Sequence, residues 1–282
     1  MTGPAPHAIG SEVMASGRDR VEILGSKIDR ILPGDAVSRI ADWIASPGPR
    51  PRHVVVTGFH GIWVGHGDPG FRAIINAADL YVPDGIAPIW LARLRGEPLP
   101  ARLPGADLMR MVLERADRCG FSSYFYGDTD ETLAALRERL EHRFPGHRVG
   151  GTWSPPFRAL TPEEDDAEVA RINAARPDVL WVGLGLPKQE LWIHAHLDRL
   201  NVPVVVGVGA AFGFLSGRVA RVPAWIGDAG FEWIWRFVAE PRKLWRRDLI
   251  DGPRFVWHGL RESLAYRLGQ AGRVRLMQGR QE

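Results

Sequence analysis

An α/β fold built on a mostly parallel sheet is predicted by three features of the 282-residue sequence. Short apolar runs alternate with longer amphipathic stretches from about residue 20 to 217. The runs are rich in Val and Tyr, residues that suit a pleated, buried surface. Glycines and helix-start signals separate them. Strands alternating with helices are joined by crossovers, so they lie parallel with helices on both faces.

Taken in order, the predicted strands are 21–24 (VEIL), 53–57 (HVVVT), 79–82 (DLYV), 122–126 (SSYFY), 148–151 (RVGG), 178–183 (DVLWVG) and 203–208 (PVVVGV). The stretch 130–144 reads as a helix, because Leu133, Leu136 and Leu140 fall on one face. TPEEDD, from Thr161, starts another: Thr161 is the N-cap, Pro162 takes the first position, and Glu164 completes a capping box. The sheet pattern stops near Val222–Trp225, where Trp- and Arg-rich helices begin. The expected organisation is a leader over 1–20, a core over 21–222 and a helical appendage over 223–282. The leader lacks an apolar h-region and reads as a mobile segment, not a signal peptide.

Composition narrows the function classes. Cys119 is the only cysteine, which excludes an internal disulfide and fits a reducing compartment. The most apolar stretch, VPVVVGVGAAFGFL, is too short and glycine-broken to span a bilayer. From Arg236 onward there are eleven Arg and Lys against five Asp and Glu, whereas the preceding residues carry 25 against 28. Five of the eleven tryptophans (Trp225, Trp233, Trp235, Trp245 and Trp257) fall in one late window, residues 225–257. A basic, Trp-rich end on a slightly acidic body fits an anionic partner. Arg236, Arg242, Lys243, Arg246 and Arg247 recur at helical spacing beside aromatic and aliphatic residues, as in a membrane-surface helix. No nucleic-acid recognition module accompanies the patch, so nucleic acid is not an expected partner. The expected location is cytoplasmic, peripherally associated with the inner face of the membrane.

Parallel sheets bind ligands beyond the carboxyl ends of their strands. Several motifs collect at those predicted ends. In LYVPDGIAPIW, Asp84 stands between a strand and a helix, where it reads either as a helix cap or as an exposed catalytic acid. In YFYGDTDETLAAL, Gly127 opens a turn able to present N–H groups to phosphate, although the acids beside it oppose an anion. GLGLPKQE lets the backbone approach a ligand at Gly183 and Gly185, then projects Lys188, Gln189 and Glu190 from a helix start. RLPGADLM leads with Arg102 into another glycine turn, where a guanidinium can face phosphate. GVGAAFGFLSG, which contains Gly209, resembles a dinucleotide fingerprint whose spacing is one residue too long. No acid follows at the required distance, so a nicotinamide-dependent oxidoreductase is disfavoured.

Five ordered blocks together resemble the WecG/TagA/CpsF family of bacterial glycosyltransferases: PDGIAPIW, RLPGADLM, GLGLPKQELWI, GVGAAFGFLSG with RVARVPAWIGDAGFEWIWR, and EPRKLWRRDL. The resemblance implies a Rossmann-like core and metal-independent, inverting transfer of a hexose or N-acetylhexosamine, such as N-acetylmannosamine. The donor is a UDP-sugar and the acceptor a polyprenyl-diphosphate-linked sugar, in polysaccharide biosynthesis. It assigns the catalytic base to Asp84, with Thr57 and Gln189 orienting sugar or acceptor. Arg236, Lys243 and Arg246 would neutralise the leaving diphosphate. Further substrate contacts are expected at Arg102, Gly127, Gly185, Lys188 and Gly209, with no metal and no cofactor. Two positions depart from the family pattern: Gly213 stands where an acid is common, and Phe59 where Asn is common. The competing expectation is a non-catalytic, nucleotide-sugar-binding subunit of a polysaccharide assembly complex. A homo-oligomer is compatible with either.

Overall fold

The computed structural model describes residues 18–220, 237 and 241–278, with Lys243 and 271–278 as backbone only. The apolar runs form β3 (Arg52–Thr57), β4 (Leu80–Pro83), β5 (Ser122–Gly127), β6 (Arg148–Trp153), β7 (Val179–Gly183) and β8 (Val204–Gly207). These make one six-stranded sheet in the order β4-β3-β8-β7-β5-β6, with every neighbouring pair parallel. Val204, Val205 and Val206 are fully buried, as a central strand covered on both faces requires.

The crossovers supply α1 (Pro33–Ala45), α2 (Phe59–Gly67), α3 (Pro69–Ala77), α4 (Ile86–Arg95), α5 (Gly105–Cys119), α6 (Asp130–Arg143), α7 (Pro162–Ala175), α8 (Lys188–His196) and the short α9 (Ala211–Leu215). On one face, Val54, Phe125 and Trp181 pack against Ile40 of α1, Leu108 of α5, Leu136 of α6 and Phe212 of α9. On the other, Val55 and Tyr81 meet Ile62 of α2 and Phe71 of α3, while Tyr126 and Val182 meet Ile193 of α8. The helix starts form as expected. Thr129 caps α6, and Thr161 with Glu164 builds a complete capping box on α7.

The run at 21–24 does not join this sheet. It forms β1 (Arg20–Ile23), which pairs antiparallel with β2 (Ser26–Asp29) as a separate hairpin. β2 leaves little periodic signal in the sequence, because it is only four residues long and carries two charges. Leu24 and Gly25 make the connection with φ of 48° and 82°, the positive pair that a tight hairpin turn demands. Leucine is an unusual occupant of that region. Here its side chain is buried in the core, and its N–H donates to Glu262 Oε2 at 2.8 Å.

Glu262 belongs to the C-terminal stretch, which comprises α10 (Pro241–Trp245), a π-helical turn (Arg246–Asp251) and α11 (Gly252–Gln278). α11 lies along α4. Phe255 is fully buried in the same cluster as Phe71, Ile89 and Leu91. A Cβ on Gly259 would come within 2.4 Å of Leu91 Cδ1, so any larger residue there would force Leu91 to shift. Further along, the Arg95 guanidinium lies 3.5 Å over the Tyr266 ring, a cation–π contact. The outward face of this stretch is apolar: Trp245, Leu249, Val256, Trp257, Leu260, Leu264 and Leu268 are all exposed. Among the described residues, no helix is long and apolar enough to cross a membrane.

Candidate active site

The chain leaves β5 for α6 on one face of the sheet and leaves β7 for α8 on the other. Adjacent strands whose connections diverge in this way open a crevice at their carboxyl ends. Gly127 and Gly183 lie opposite each other there, in register. Gly127 has φ of 120°, and a Cβ on it would sit 2.6 Å from the Gly183 carbonyl, so glycine is required. Gly185 follows with φ of 76° and open space where a Cβ would be, so the turn leaves room beside its backbone.

Across the sheet, β3 and β4 end in register at Thr57 and Pro83. Thr57 is buried, and its carbonyl accepts the N–H of Asp84 at 3.2 Å. Asp84 is half-buried. Its carboxylate does not cap α4, the helix that follows it: the N-cap of α4 is Gly85, which makes no side-chain cap bond. Instead Oδ1 accepts the N–H of Gly105, the first residue of α5, at 3.2 Å. An anion at a helix start is favoured by the free N–H groups and the helix dipole. Arg102 stands beside this junction, since the N–H of its neighbour Leu103 donates to the Pro83 carbonyl at 2.7 Å.

Gly58 carries no signal in the sequence, whereas Gly105 is the glycine of the RLPGADLM turn, and both let these segments meet. A Cβ on Gly58 would lie 3.2 Å from Gly85 N, and one on Gly105 would lie 3.1 Å from the Val208 carbonyl oxygen. The β8–α9 turn is therefore pressed against α5. On its other side, Gly209 N–H donates to Gln189 Oε1 at 2.9 Å. Gln189 is buried, and its Nε2 donates to Glu190 at 3.0 Å, so both ends of the carboxamide are engaged inside the protein. Lys188 is exposed on the first turn of α8.

Thr57, Asp84, Gly127, Gly185, Gln189 and Gly209 thus collect along one edge of the sheet, with Arg102 and Lys188 at its rim. The basic residues of the C-terminal stretch are less uniform. Arg236 and the Lys243 side chain lie outside the described residues. Arg246 is exposed, with its guanidinium 5.6 Å from the Trp245 ring. Its neighbour Arg247 turns inward, paired with buried Asp248 at 2.6 Å and 5.9 Å from the Phe59 ring. Phe59, at the start of α2, also meets Phe255 of α11 with ring centroids 5.7 Å apart. Phe59 therefore joins the C-terminal stretch to the segment that carries Thr57. Burial, and after it the Arg247 charge, hold the His60 imidazole below its usual range, so it is uncharged at neutral pH. Among the described residues, no three His, Cys, Asp or Glu side chains converge to hold a metal ion. Gly213 lies in α9, where a Cβ would come within 2.9 Å of Val219 Cγ2.

The sequence is similar to a protein of Bacillus spizizenii named as an N-acetylglucosaminyldiphosphoundecaprenol N-acetyl-beta-D-mannosaminyltransferase, 34% identical over 70% of this chain and 74% of that one. A Staphylococcus aureus protein of the same name is 27% identical over 86% of this chain and 92% of its own length. A Bacillus subtilis protein so named is 26% identical over 70% and 74%. Residues 21–269 match the glycosyl transferase WecG/TagA/CpsF family as a whole, taking in the sheet, the glycine turns and most of α11. The chain is a glycosyltransferase and belongs to the WecG/TagA/CpsF family.

Proposed function

We propose that this chain transfers a sugar from a UDP-sugar to a polyprenyl-diphosphate-linked sugar, with inversion at the anomeric carbon. The observation that carries the reading is the placement of Asp84. Its carboxylate stands where β3, β4 and the start of α5 meet, on the edge that also holds the glycine turns. In this mechanism the carboxylate takes the proton of the acceptor hydroxyl as its oxygen attacks the anomeric carbon. The bond from that carbon to the diphosphate breaks, and UDP leaves with the electron pair. Basic side chains facing the leaving diphosphate stabilise the charge it gains. Arg102 is one, and Arg236, Lys243 and Arg246 of the appendage are the others. Thr57 and Gln189 shape the cleft, with Gly127, Gly185, Lys188 and Gly209 lining the donor side.

The names of the relatives make an N-acetylmannosaminyl group and an N-acetylglucosaminyl-diphosphate lipid the first donor and acceptor to test. A lipid-linked acceptor stays in the bilayer, so the cleft has to reach the membrane. The exposed apolar face from Trp245 to Leu268, with Arg246, Arg254 and Arg261 exposed beside it, supports docking on the anionic cytoplasmic leaflet. The test is incubation of the full chain with a panel of UDP- and GDP-sugars and a short-chain lipid diphosphate-sugar. Transfer from a UDP-sugar supports the proposal. Binding of a UDP-sugar without turnover would favour the non-catalytic subunit instead.

A further inference from the structure

Two buried side chains outside the candidate cleft lead by hydrogen bonds to one that shapes it. His53 of β3 and Glu190 of α8 are 2% and 0% exposed, and His53 Nε2 lies 2.7 Å from Glu190 Oε2. The other oxygen, Oε1, accepts Gln189 Nε2 at 3.0 Å. Gln189 Oε1 then accepts the N–H of Gly209 at 2.9 Å. Four residues from three elements therefore form one chain of hydrogen bonds, running from the middle of the sheet to the β8–α9 turn.

The direction of this chain is fixed by chemistry. An ionised carboxylate only accepts, whereas a carboxamide has one donating and one accepting end. Glu190 therefore obliges Gln189 to turn its Nε2 inward and its oxygen toward Gly209. Without that obligation the amide can flip, which would set a donor against the Gly209 N–H. Gly207 shows how closely the arrangement is built. A Cβ there would lie 2.5 Å from Glu190 Oε1 and 2.8 Å from Gln189 Nε2. The turn it holds is unusual in its backbone as well, with Gly209 at φ of 53°. Tyr81 is the other titratable group facing Glu190; burial first, and then the Glu190 charge, push its hydroxyl upward.

We infer that His53 and Glu190 are positioning residues for sugar transfer: they orient the Gln189 carboxamide and, through it, fix the Gly209 turn against the cleft. This rests on the reading of the carboxyl edge as the transfer site. A merely structural pair would contribute stability without altering turnover. A misplacement of about 1 Å in a positioning element costs about 100-fold in rate.

Glu190→Gln keeps the volume but removes the obligation to accept. His53→Gln keeps a donor at the Nε2 position, and His53→Met removes it. Each is made in the full chain and assayed well below its melting temperature for kcat, for KM and for hydrogen exchange at the Gly209 amide. The expected result is kcat lower by about 10- to 100-fold in Glu190→Gln and His53→Met. Gly209 exchange should be faster in both, and His53→Gln should stay near the parent. If one variant fails to fold, the other carries the same comparison. Unchanged kcat would overturn the inference, as would lowered kcat with Gly209 exchange unaltered. Should Asp84→Asn leave transfer intact, the site reading fails, while faster Gly209 exchange in these variants would still report the hydrogen-bond relay.

Discussion

Asp84 Oδ1 accepts the backbone N–H of Gly105 at 3.2 Å, joining the end of β4 to the start of a helix 21 residues later in sequence. The bond requires α5 to approach closely, and Gly105 permits it by having no side chain beside the Val208 carbonyl. Gly105→Ala puts a methyl group 3.1 Å from that oxygen. The expected outcome is a loss of about 1–3 kcal/mol of stability, as for other small-to-large changes in packed sites. Transfer should fall as well, because α5 moves away from Asp84. Thermal melting together with turnover checks both.

Phe59 links α2 to α11 through Phe255 and lies near Arg247. Phe59→Ala should cost about 2 kcal/mol, less than the roughly 3–5 kcal/mol for a fully buried aromatic ring, because Phe59 is only partly buried. The loss should be concentrated at the contact with α11. Limited proteolysis provides the check: cleavage within α11 should accelerate more than cleavage within α6.

Glu168 of α7 supplies a pH dependence. It is 1% exposed, and burial raises its carboxyl from 4.5 to about 7, although Arg171 lies 2.9 Å away and opposes the shift. Because the folded state holds this proton more tightly than the unfolded chain, the associated stability is full below about pH 4.5 and is lost as pH rises through about 7. Glu168→Gln should therefore flatten that decline and stabilise the protein at pH 8 by roughly 2–3 kcal/mol relative to the parent. Melting curves from pH 4 to 8 would show the two proteins converging at the acid end.

The exposed apolar face of α11 makes a separate prediction. Leu260→Glu with Leu264→Glu should leave the fold intact, since both side chains point outward at 39% and 48% exposure. Sedimentation with anionic liposomes should drop sharply. Reversing Arg246 to Glu should weaken binding more at low salt than at high salt, because screening already reduces the attraction at high salt. Pelleting of the double leucine variant as complete as that of the parent would contradict a docking role for this face.

Much of this architecture was legible in the sequence. The long Val runs, the Leu133–Leu136–Leu140 stripe and the Thr161 capping box each carry a local period or a local chemical preference, and each formed as expected. The hairpin partner β2 was not legible, because its pairing depends on a turn with positive φ at a leucine. The placement of Asp84 at a strand end was readable, but its bond to Gly105 was not, since nothing local relates residues so far apart. The same holds for the pairing of His53, which has no local signal, with Glu190, which the sequence places only among the polar groups of a helix start; the sheet has to bring β3 beneath α8 first. The inward turn of Arg247 rather than Arg246 had one local signal, the acid that follows it in WRRDL.

Turnover of Asp84→Asn tests the central claim most directly. Asparagine keeps the size of the side chain and an oxygen to accept the Gly105 N–H, but it is too weak a base to take a proton from the acceptor hydroxyl. With native-like melting and UDP binding confirmed, the account predicts transfer to a lipid diphosphate-sugar lowered by about 10²–10⁴-fold. Transfer within a few-fold of the parent would contradict it and leave Asp84 as a structural bridge between β4 and α5.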